Sequence, residues 1–361
     1  MRNFPAPQNN RLHILSMQKL KHSVPAVPAV WLPAVRTGSG ADVFTERLAA
    51  ALTHRGIRAE IAWLPHRAEY APWTVRAISP PPWVNIVHVN SWLHRRFVPA
   101  GLPLVVTLHS CVHDPALQPY KSPLQHLYHR TWIWRREGDM LRRAHAVTAV
   151  SRYTSDRAAA VFGRTDILPI HNWIETSSFR SDDRPTPHSP FRLLYVGNMN
   201  RRKGADLLPE IMHRLGGDFE LRYTGRADEF WDAGQIPPNM ISLGRLHGTG
   251  SLVAAYRESD ALLFPTRLEG LPLTVLEALA CGRPVISTDG SSLPEVVEHN
   301  VTGVLCPVDD IGAFVAAARA LRDEPEMWRR MCIAARERAD SQFGEEQAMD
   351  LYARLYLRLL A

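Results

Sequence analysis

Apolar residues in this chain fall into short runs separated by longer amphipathic stretches. Val30-Trp31-Leu32 reads as a buried strand that runs into Arg36-Thr37-Gly38-Ser39-Gly40. From Ala41 to Arg55 the pattern turns helical, with Val43, Phe44, Leu48, Ala51 and Leu52 on one face, and Gly56 ends it. Ala59 to Leu64 predicts the next strand, and Asn85 to Val89, Leu104 to Leu108 and Ala146 to Val150 are the uninterrupted apolar runs that parallel sheets bury on both faces. A helical stretch over Pro123 to Arg143 lies before the last of these. After a polar break the alternation resumes, with strands predicted at Leu193 to Val196, Glu220 to Thr224, Met240 to Leu243, Ala261 to Phe264 and Pro284 to Ser287. Strands alternating with helices predict α/β architecture with parallel sheets.

The break, Phe179 to Pro190, holds three prolines and four charges and little to bury, so it reads as a linker. A chain of 361 residues suits two domains rather than one core. The division is therefore a first α/β domain over residues 1–178, the linker over 179–190, a second over 191–342 and a C-terminal helix over 343–361. That helix repeats Leu351, Leu355 and Leu359 at helical spacing and could pack on either domain, the first included. The first 23 residues show no clear period, and Leu12 to Leu15 is either a short strand or part of an extension.

Composition narrows the class. With 45% hydrophobic and 22% charged residues the chain is in the soluble globular range. Cys111, Cys281, Cys306 and Cys332 have no paired spacing, which fits reduced buried thiols in a cytoplasmic protein rather than a disulfide framework or zinc site. No run of about 18 apolar residues exists to cross a membrane. Val24 to Val35 is apolar, but Pro25, Pro28 and Pro33 break it as a signal-peptide core, so it reads as the approach to the first strand.

Charge is uneven. Residues 1–190 carry 23 Lys+Arg against 12 Asp+Glu, and residues 191–361 carry 19 against 24. A basic half points to an anionic partner, nucleic acid or a membrane surface. Residues 128–146 mix Trp132, Ile133 and Trp134 with Arg130, Arg135, Arg136, Arg142 and Arg143. That suits peripheral contact with an anionic membrane, or else a core helix whose arginine stems lie along apolar surface. No nucleic-acid motif accompanies it, so nucleic acid is set aside.

Two segments carry candidate chemistry. In residues 264–287 (FPTRLEGLPLTVLEALACGRPVIS) a strand end leads through a turn with Glu269 and Gly270 into a helix. Pro272 suits its first turn, Glu277 lies within it and Gly282 stops it. A helix N-terminus beside glycine is a ready diphosphate site. Carboxylates eight residues apart stand about 12 Å apart along a helix axis, enough for one to take sugar hydroxyls and the other a ribose diol. In residues 194–208 (LYVGNMNRRKGADLL) a strand ends at Gly197, and then comes a turn with Arg201, Arg202 and Lys203, where cations can neutralise a leaving diphosphate. His88, His94, His109 and His113 share a region but lack metal-ligand spacing, and no metal is expected.

In this order, the two segments resemble family 4 of the retaining glycosyltransferases, which have the GT-B fold of two Rossmann-like domains facing across a cleft. Residues 291–310 are similar to the stretch after the paired glutamates in that family. Residues 36–52 look like the family's glycine-rich loop and first helix, and residues 86–94, 105–110, 146–156 and 171–175 fall in its order. The resemblance covers about residue 29 to the end. It implies that Glu269, with the backbone of Gly270 and Leu271, holds the donor sugar, that Glu277 binds the ribose and that Lys203 sits on the diphosphate. It further implies that His109 reaches the reaction centre, that Gly38 and Gly40 let backbone approach phosphate or acceptor, and that Arg245 lies by the base. One departure is Asn198, where the family often has arginine; Arg202 is the candidate replacement cation. The expected activity is retaining, metal-independent transfer of a sugar from a nucleoside-diphosphate sugar to a saccharide or lipid-linked acceptor in cell-envelope synthesis. The donor is a substrate, and no cofactor is expected. The protein is expected in the cytoplasm or at the inner face of the membrane. The rivals are a non-catalytic nucleotide-sugar-binding partner protein and another GT-B enzyme such as a nucleotide-sugar epimerase.

Overall fold

A computed structural model of the chain describes residues 27–361 except 183, 227–229 and 232–235; the expectations for Leu12 to Leu15 and the rest of the first 23 residues lie outside the described residues. Two six-stranded parallel sheets succeed one another along the chain. The first contains β1 (Ala29–Val35), β2 (Arg58–Leu64), β3 (Ile86–Asn90), β4 (Leu104–Leu108), β5 (Ala146–Ala149) and β6 (Ile167–Pro169). The second contains β7 (Phe191–Tyr195), β8 (Phe219–Tyr223), β9 (Met240–Ser242), β10 (Ala261–Phe264), β11 (Val285–Thr288) and β12 (Gly303–Cys306). The short strands β6 and β12 are not evident in the sequence pattern. The apolar runs behave as predicted: every residue of β3, β4, β10 and β11 is buried. Pro33 is accommodated because the β1–β3 ladder spans Val30 and Trp31, so its missing N–H falls beyond that ladder.

The spatial orders are β2-β1-β3-β4-β5-β6 and β12-β11-β10-β7-β8-β9. In the second sheet the connection reverses direction between β7 and β10, and in the first between β1 and β3. Such switch points open a crevice at the carboxyl ends of the strands, where open α/β sheets bind ligands.

Several elements differ in detail from the sequence pattern. On the first helix (Gly40–His54), Phe44, Leu48, Ala51 and Leu52 are buried but Val43 is exposed, because the helix turns it toward the cleft between the sheets. Phe179, assigned to an unburied linker, is 3% exposed and packs into the second core with Leu262 and Ala280. Pro123 to Arg143 is not one regular helix. It runs Pro123–Tyr128, a π-helical turn at His129–Ile133, then Trp134–Arg143.

The helix Glu345–Leu360 returns to the first sheet. Its inward face is Ala348, Met349, Tyr352, Leu355 and Tyr356, whereas Leu351 is exposed. The stripe is rotated from the leucine pattern because two tyrosines fill the space under β1 and β3. Tyr356 Oη lies 2.7 Å from Nδ1 of the buried His88, whose Nε2 lies 2.6 Å from Thr107 Oγ1. Burial pushes the His88 imidazole down to about 3, so it stays neutral.

Of the aromatic–basic segment, Ile133 and Arg136 face inward, and Arg136 stacks 3.8 Å over the Trp132 ring. Arg130, Trp134, Arg135, Arg142 and Arg143 face outward. No helix among the described residues is long and apolar enough to cross a membrane.

Candidate functional site

The loops after β7 and β10 flank the switch point of the second sheet. Residues 265–272 leave β10 and enter the helix Leu273–Ala280, whose sequence LTVLEALA is apolar enough that Val275 to Ala280 are all buried. Pro272 is the N-cap rather than a first-turn residue, with extended backbone at ψ 121°, so the helix starts one residue later than the proline pattern suggests. Gly282 stops it at φ +66°.

The loop after β7 is held against this segment backbone to backbone. Gly204 has φ +72°, and a Cβ there would lie 1.9 Å from the Pro265 carbonyl oxygen. Only glycine fits so close an approach. Asn200 caps the intervening turn by accepting from the Lys203 N–H at 2.9 Å. The Arg267 N–H donates to the Arg202 carbonyl at 2.9 Å.

Glu269 is 7% exposed and surrounded by donors. Its Oε1 accepts from Lys203 Nζ at 2.6 Å, Thr266 Oγ1 at 2.8 Å and Arg202 Nη1 at 3.3 Å. Burial alone would raise its carboxyl, but the Lys203 and Arg202 charges and the hydrogen bonds outweigh it, and the group sits below the usual range. It is a fixed anion at neutral pH. Lys203 and Arg202 are thus brought directly to Glu269, and Arg202 also donates to the Leu268 carbonyl at 2.7 Å.

The neighbouring residues are gripped by the first half of the chain. At Gly270 a Cβ would sit 1.8 Å from the His109 carbonyl oxygen. Thr154 Oγ1 donates to the Gly270 carbonyl at 3.3 Å, and Asn172 Nδ2 to the Leu271 carbonyl at 2.8 Å. Thr154 and Asn172 do not stand out in the sequence. Both lie in segments that carry the resemblance, but nothing local says that they reach across to residues about a hundred positions away. The Glu295 carboxylate adds a third link, accepting from the backbone N–H of Arg152 at 2.9 Å and of Tyr153 at 2.7 Å while His171 Nε2 stands 2.8 Å away.

His109 ends β4. Its Nε2 lies 2.8 Å from Asn90 Oδ1, and Phe44 stands edge-on at 4.6 Å. Burial pushes the imidazole down to about 3. Neutral and bonded to a carbonyl-type oxygen, the ring carries its proton on Nε2 and leaves Nδ1 as an acceptor. The other histidines of the region have separate partners; His113 lies 2.9 Å from Glu137.

Glu277, 6% exposed, accepts from Arg47 Nη2 at 2.9 Å on one oxygen and from Tyr256 Oη at 3.2 Å on the other. It opens on a cavity of about 1160 Å³ lined from both halves, by Val43, Glu46 and Arg47 on one side and Asn198, Arg245 and Glu277 among others on the second. Arg47, a cavity cation from the first half, is missed by sequence reasoning. Asn198 and Arg245, both assigned to the donor, do line it. The expected Gly38 and Gly40 do not. Gly38 has φ +71°, and its N–H already donates to Asp42 Oδ2 at 2.8 Å; Gly40 simply begins the first helix. Both are open to solvent, with nothing within 4 Å of a built Cβ.

The chain is similar to known proteins in sequence and in fold. Residues 190–324 match the family described as Glycosyl transferases group 1, and residues 83–178 match the family described as Glycosyltransferase Family 4. The glycogen synthase of Mycobacterium tuberculosis (strain ATCC 25618 / H37Rv) is 27% identical over 290 residues, covering 76% of this chain and 68% of that protein. Among solved structures, a sucrose-phosphate synthase from Thermosynechococcus elongatus superposes with TM-score 0.72 at 17% identity, over 92% of this chain and 99% of that one. The Anabaena HepE protein in complex with UDP and glucose gives TM-score 0.70 at 15% identity, over 91% and 99%. Both structures have the arrangement of two sheets found in this chain.

Proposed function

Because the chain belongs to the group 1 and family 4 glycosyltransferases and has the GT-B fold, we propose that it is a retaining, metal-independent enzyme that moves a sugar from a nucleoside-diphosphate sugar to a saccharide or lipid-linked hydroxyl in cell-envelope synthesis. The observation that carries this reading is the pair of glutamates. Glu277 faces a cavity of about 1160 Å³ lined from both halves, and Glu269 is a buried anion beside Lys203 and Arg202 one loop away. The base lies by Arg245, the ribose hydroxyls donate to Glu277, and the diphosphate meets the start of the helix Leu273–Ala280 with Lys203 and Arg202 near its sugar end. The sugar lies against Glu269 and the Gly270–Leu271 backbone. As the bond to the diphosphate breaks, positive charge at the anomeric carbon is stabilised by Glu269 and negative charge on the leaving group by the cations. His109 Nδ1 accepts from a donor-sugar hydroxyl. The acceptor enters from the first half, and closure of the halves keeps water from the donor. A UDP-sugar is among the donors to try, since HepE is described in complex with UDP and glucose.

A thermal-shift screen against UDP, GDP, ADP and dTDP and their sugar conjugates tests this. A nucleotide at a hundredfold excess over its Kd stabilises the fold by about 2.7 kcal/mol. One nucleotide family should shift the melting temperature, and Glu277→Ala should abolish the shift. No shift with any nucleotide would sink the donor-site assignment. Asn198 favours a second reading, a protein that binds a donor without transferring it; turnover of a binding sugar nucleotide by the purified protein would exclude that.

The acceptor side is proposed to work at an anionic membrane. Leu124 and Leu127, one helical turn apart, are 80% and 58% exposed, and Trp73, edge-on against Trp132, is 63% exposed. Exposed Arg130, Arg135, Arg142 and Arg143 accompany them on the following turns. Exposed apolar side chains beside arginines suit an interface with anionic lipid. Flotation with vesicles rich in phosphatidylglycerol should recover the protein, and Leu124→Glu/Leu127→Glu should release it. Recovery that does not depend on lipid charge or on these leucines would overturn the assignment.

A further inference from the structure

On its cavity side the proposed donor site draws Arg226 and Arg245 from the second half. Residue 198 is asparagine, whereas Lys203 Nζ and Arg202 Nη1 both bond to Glu269. The cavity also has a cation that comes from the opposite half of the molecule. Arg47 projects from the second turn of the helix Gly40–His54 and places Nη2 2.9 Å from Glu277 Oε1, a residue 230 positions away. Its Nη1 donates to the Trp173 carbonyl at 3.4 Å. Among the described residues these are its two hydrogen-bond partners, and a guanidinium has five N–H donors.

We infer that Arg47 is a donor-binding residue whose guanidinium contacts the nucleotide's diphosphate while remaining paired with Glu277, so that the nucleotide is held by both halves at once. The inference rests on the donor site proposed above. Arg47 donates to Oε1 of Glu277, and the Tyr256 hydroxyl is shared between Oε2 at 3.2 Å and the Thr274 carbonyl at 3.0 Å. A carboxylate has about four acceptor positions, so ribose hydroxyls join these partners rather than displacing them. The 5′-phosphate hangs from the same ribose, beside the guanidinium. A planar guanidinium with donors to spare is well suited to phosphate oxygens. Arg47 then adds a cation from the first half to those of the second, where residue 198 is asparagine.

The alternative is a latch, in which Arg47 merely occupies Glu277 and must be pushed aside. The two roles predict opposite effects. The nucleoside diphosphate that wild-type protein binds best among UDP, GDP, ADP and dTDP is titrated into full-length wild type, Arg47→Ala and Arg47→Gln by calorimetry. The matching uncharged nucleoside is tested by thermal shift at millimolar concentration. The unliganded melting temperature checks that each variant is folded, and Arg47→Gln serves if the alanine variant is not. Removing the phosphate contact should weaken the diphosphate about tenfold, as expected for one charge-assisted hydrogen bond, and leave the nucleoside shift unchanged. Unchanged or tighter diphosphate binding would overturn the inference in favour of a latch, and equal weakening of diphosphate and nucleoside would overturn it in favour of an effect through Glu277 alone. If wild type binds none of the four, the donor site itself fails, and this inference with it.

Discussion

Glu269→Gln should lower kcat by about 10²–10³-fold, the usual cost of removing one preorganised electrostatic contact to a developing charge. Nucleotide-diphosphate affinity should change little, because Glu277 and the cavity are untouched. The glutamine keeps the shape and still accepts from Lys203 and Thr266, so the lost property is the negative charge. That loss also affects the fold. Lys203 has a side chain only 15% exposed and would face a neutral partner, and breaking a buried pair from one side costs about 3–5 kcal/mol. Steady-state kinetics and thermal unfolding together separate the two effects. In Glu269→Gln/Lys203→Met the melting temperature should partly recover while kcat stays low. Full kcat in the single variant would show that Glu269 is only a structural partner of the basic turn.

Gly270→Ala should be as damaging by a different route. The added methyl would fall 1.8 Å from the His109 carbonyl oxygen and 2.9 Å from its carbon, both backbone atoms that no rotamer change can move. The halves must separate locally, and the Thr154 and Asn172 bonds to the Gly270 and Leu271 carbonyls stretch with them. Overpacking of this kind costs about 1–3 kcal/mol or more, and it acts where the sugar is proposed to lie. A melting temperature several degrees lower and a kcat reduced more than about tenfold are expected. Gly40→Ala is the control: its Cβ meets nothing within 4 Å, and Gly40 is not among the positive-φ glycines. Near-wild-type behaviour of Gly270→Ala would refute the close approach.

How far the fold and site are legible in the sequence depends on what each signal encodes. Strands such as Leu104–Leu108 and Ala261–Phe264 are legible because a strand covered on both faces must be apolar throughout. The glutamate pair is legible because its strand, turn and helix are contiguous, so local punctuation by Gly270, Pro272 and Gly282 places both carboxylates. Arg47, Thr154 and Asn172 are not, since each acts on a partner in the other half of the chain, and no period or spacing records that proximity. His88 shows the same limit inside a strand. A polar residue in an apolar run says that a partner exists, but not that it is Tyr356, 268 residues away. The C-terminal helix is legible as a helix while its buried face is not, because the leucine pattern competes with two tyrosines whose fit depends on the sheet beneath. Phe179 is a similar case, an anchor into the second core masked by polar neighbours.

The return of that helix bears on the order in which the protein can be assembled. The layer beneath β1 and β3 is shared by Val30, Leu32, Ile86, Met349, Tyr352 and Tyr356. Domains usually fold as units, the N-terminal one first during synthesis. Here the sheet made first waits, with one apolar face only partly covered by Phe44, Leu48, Ala51 and Leu52 of the first helix, while the whole second sheet is translated, and it is sealed only when residues 348–356 arrive. A nascent chain halted anywhere in the second half should therefore carry an unfinished first half, exposed to chaperones and proteases until the last helix closes over it.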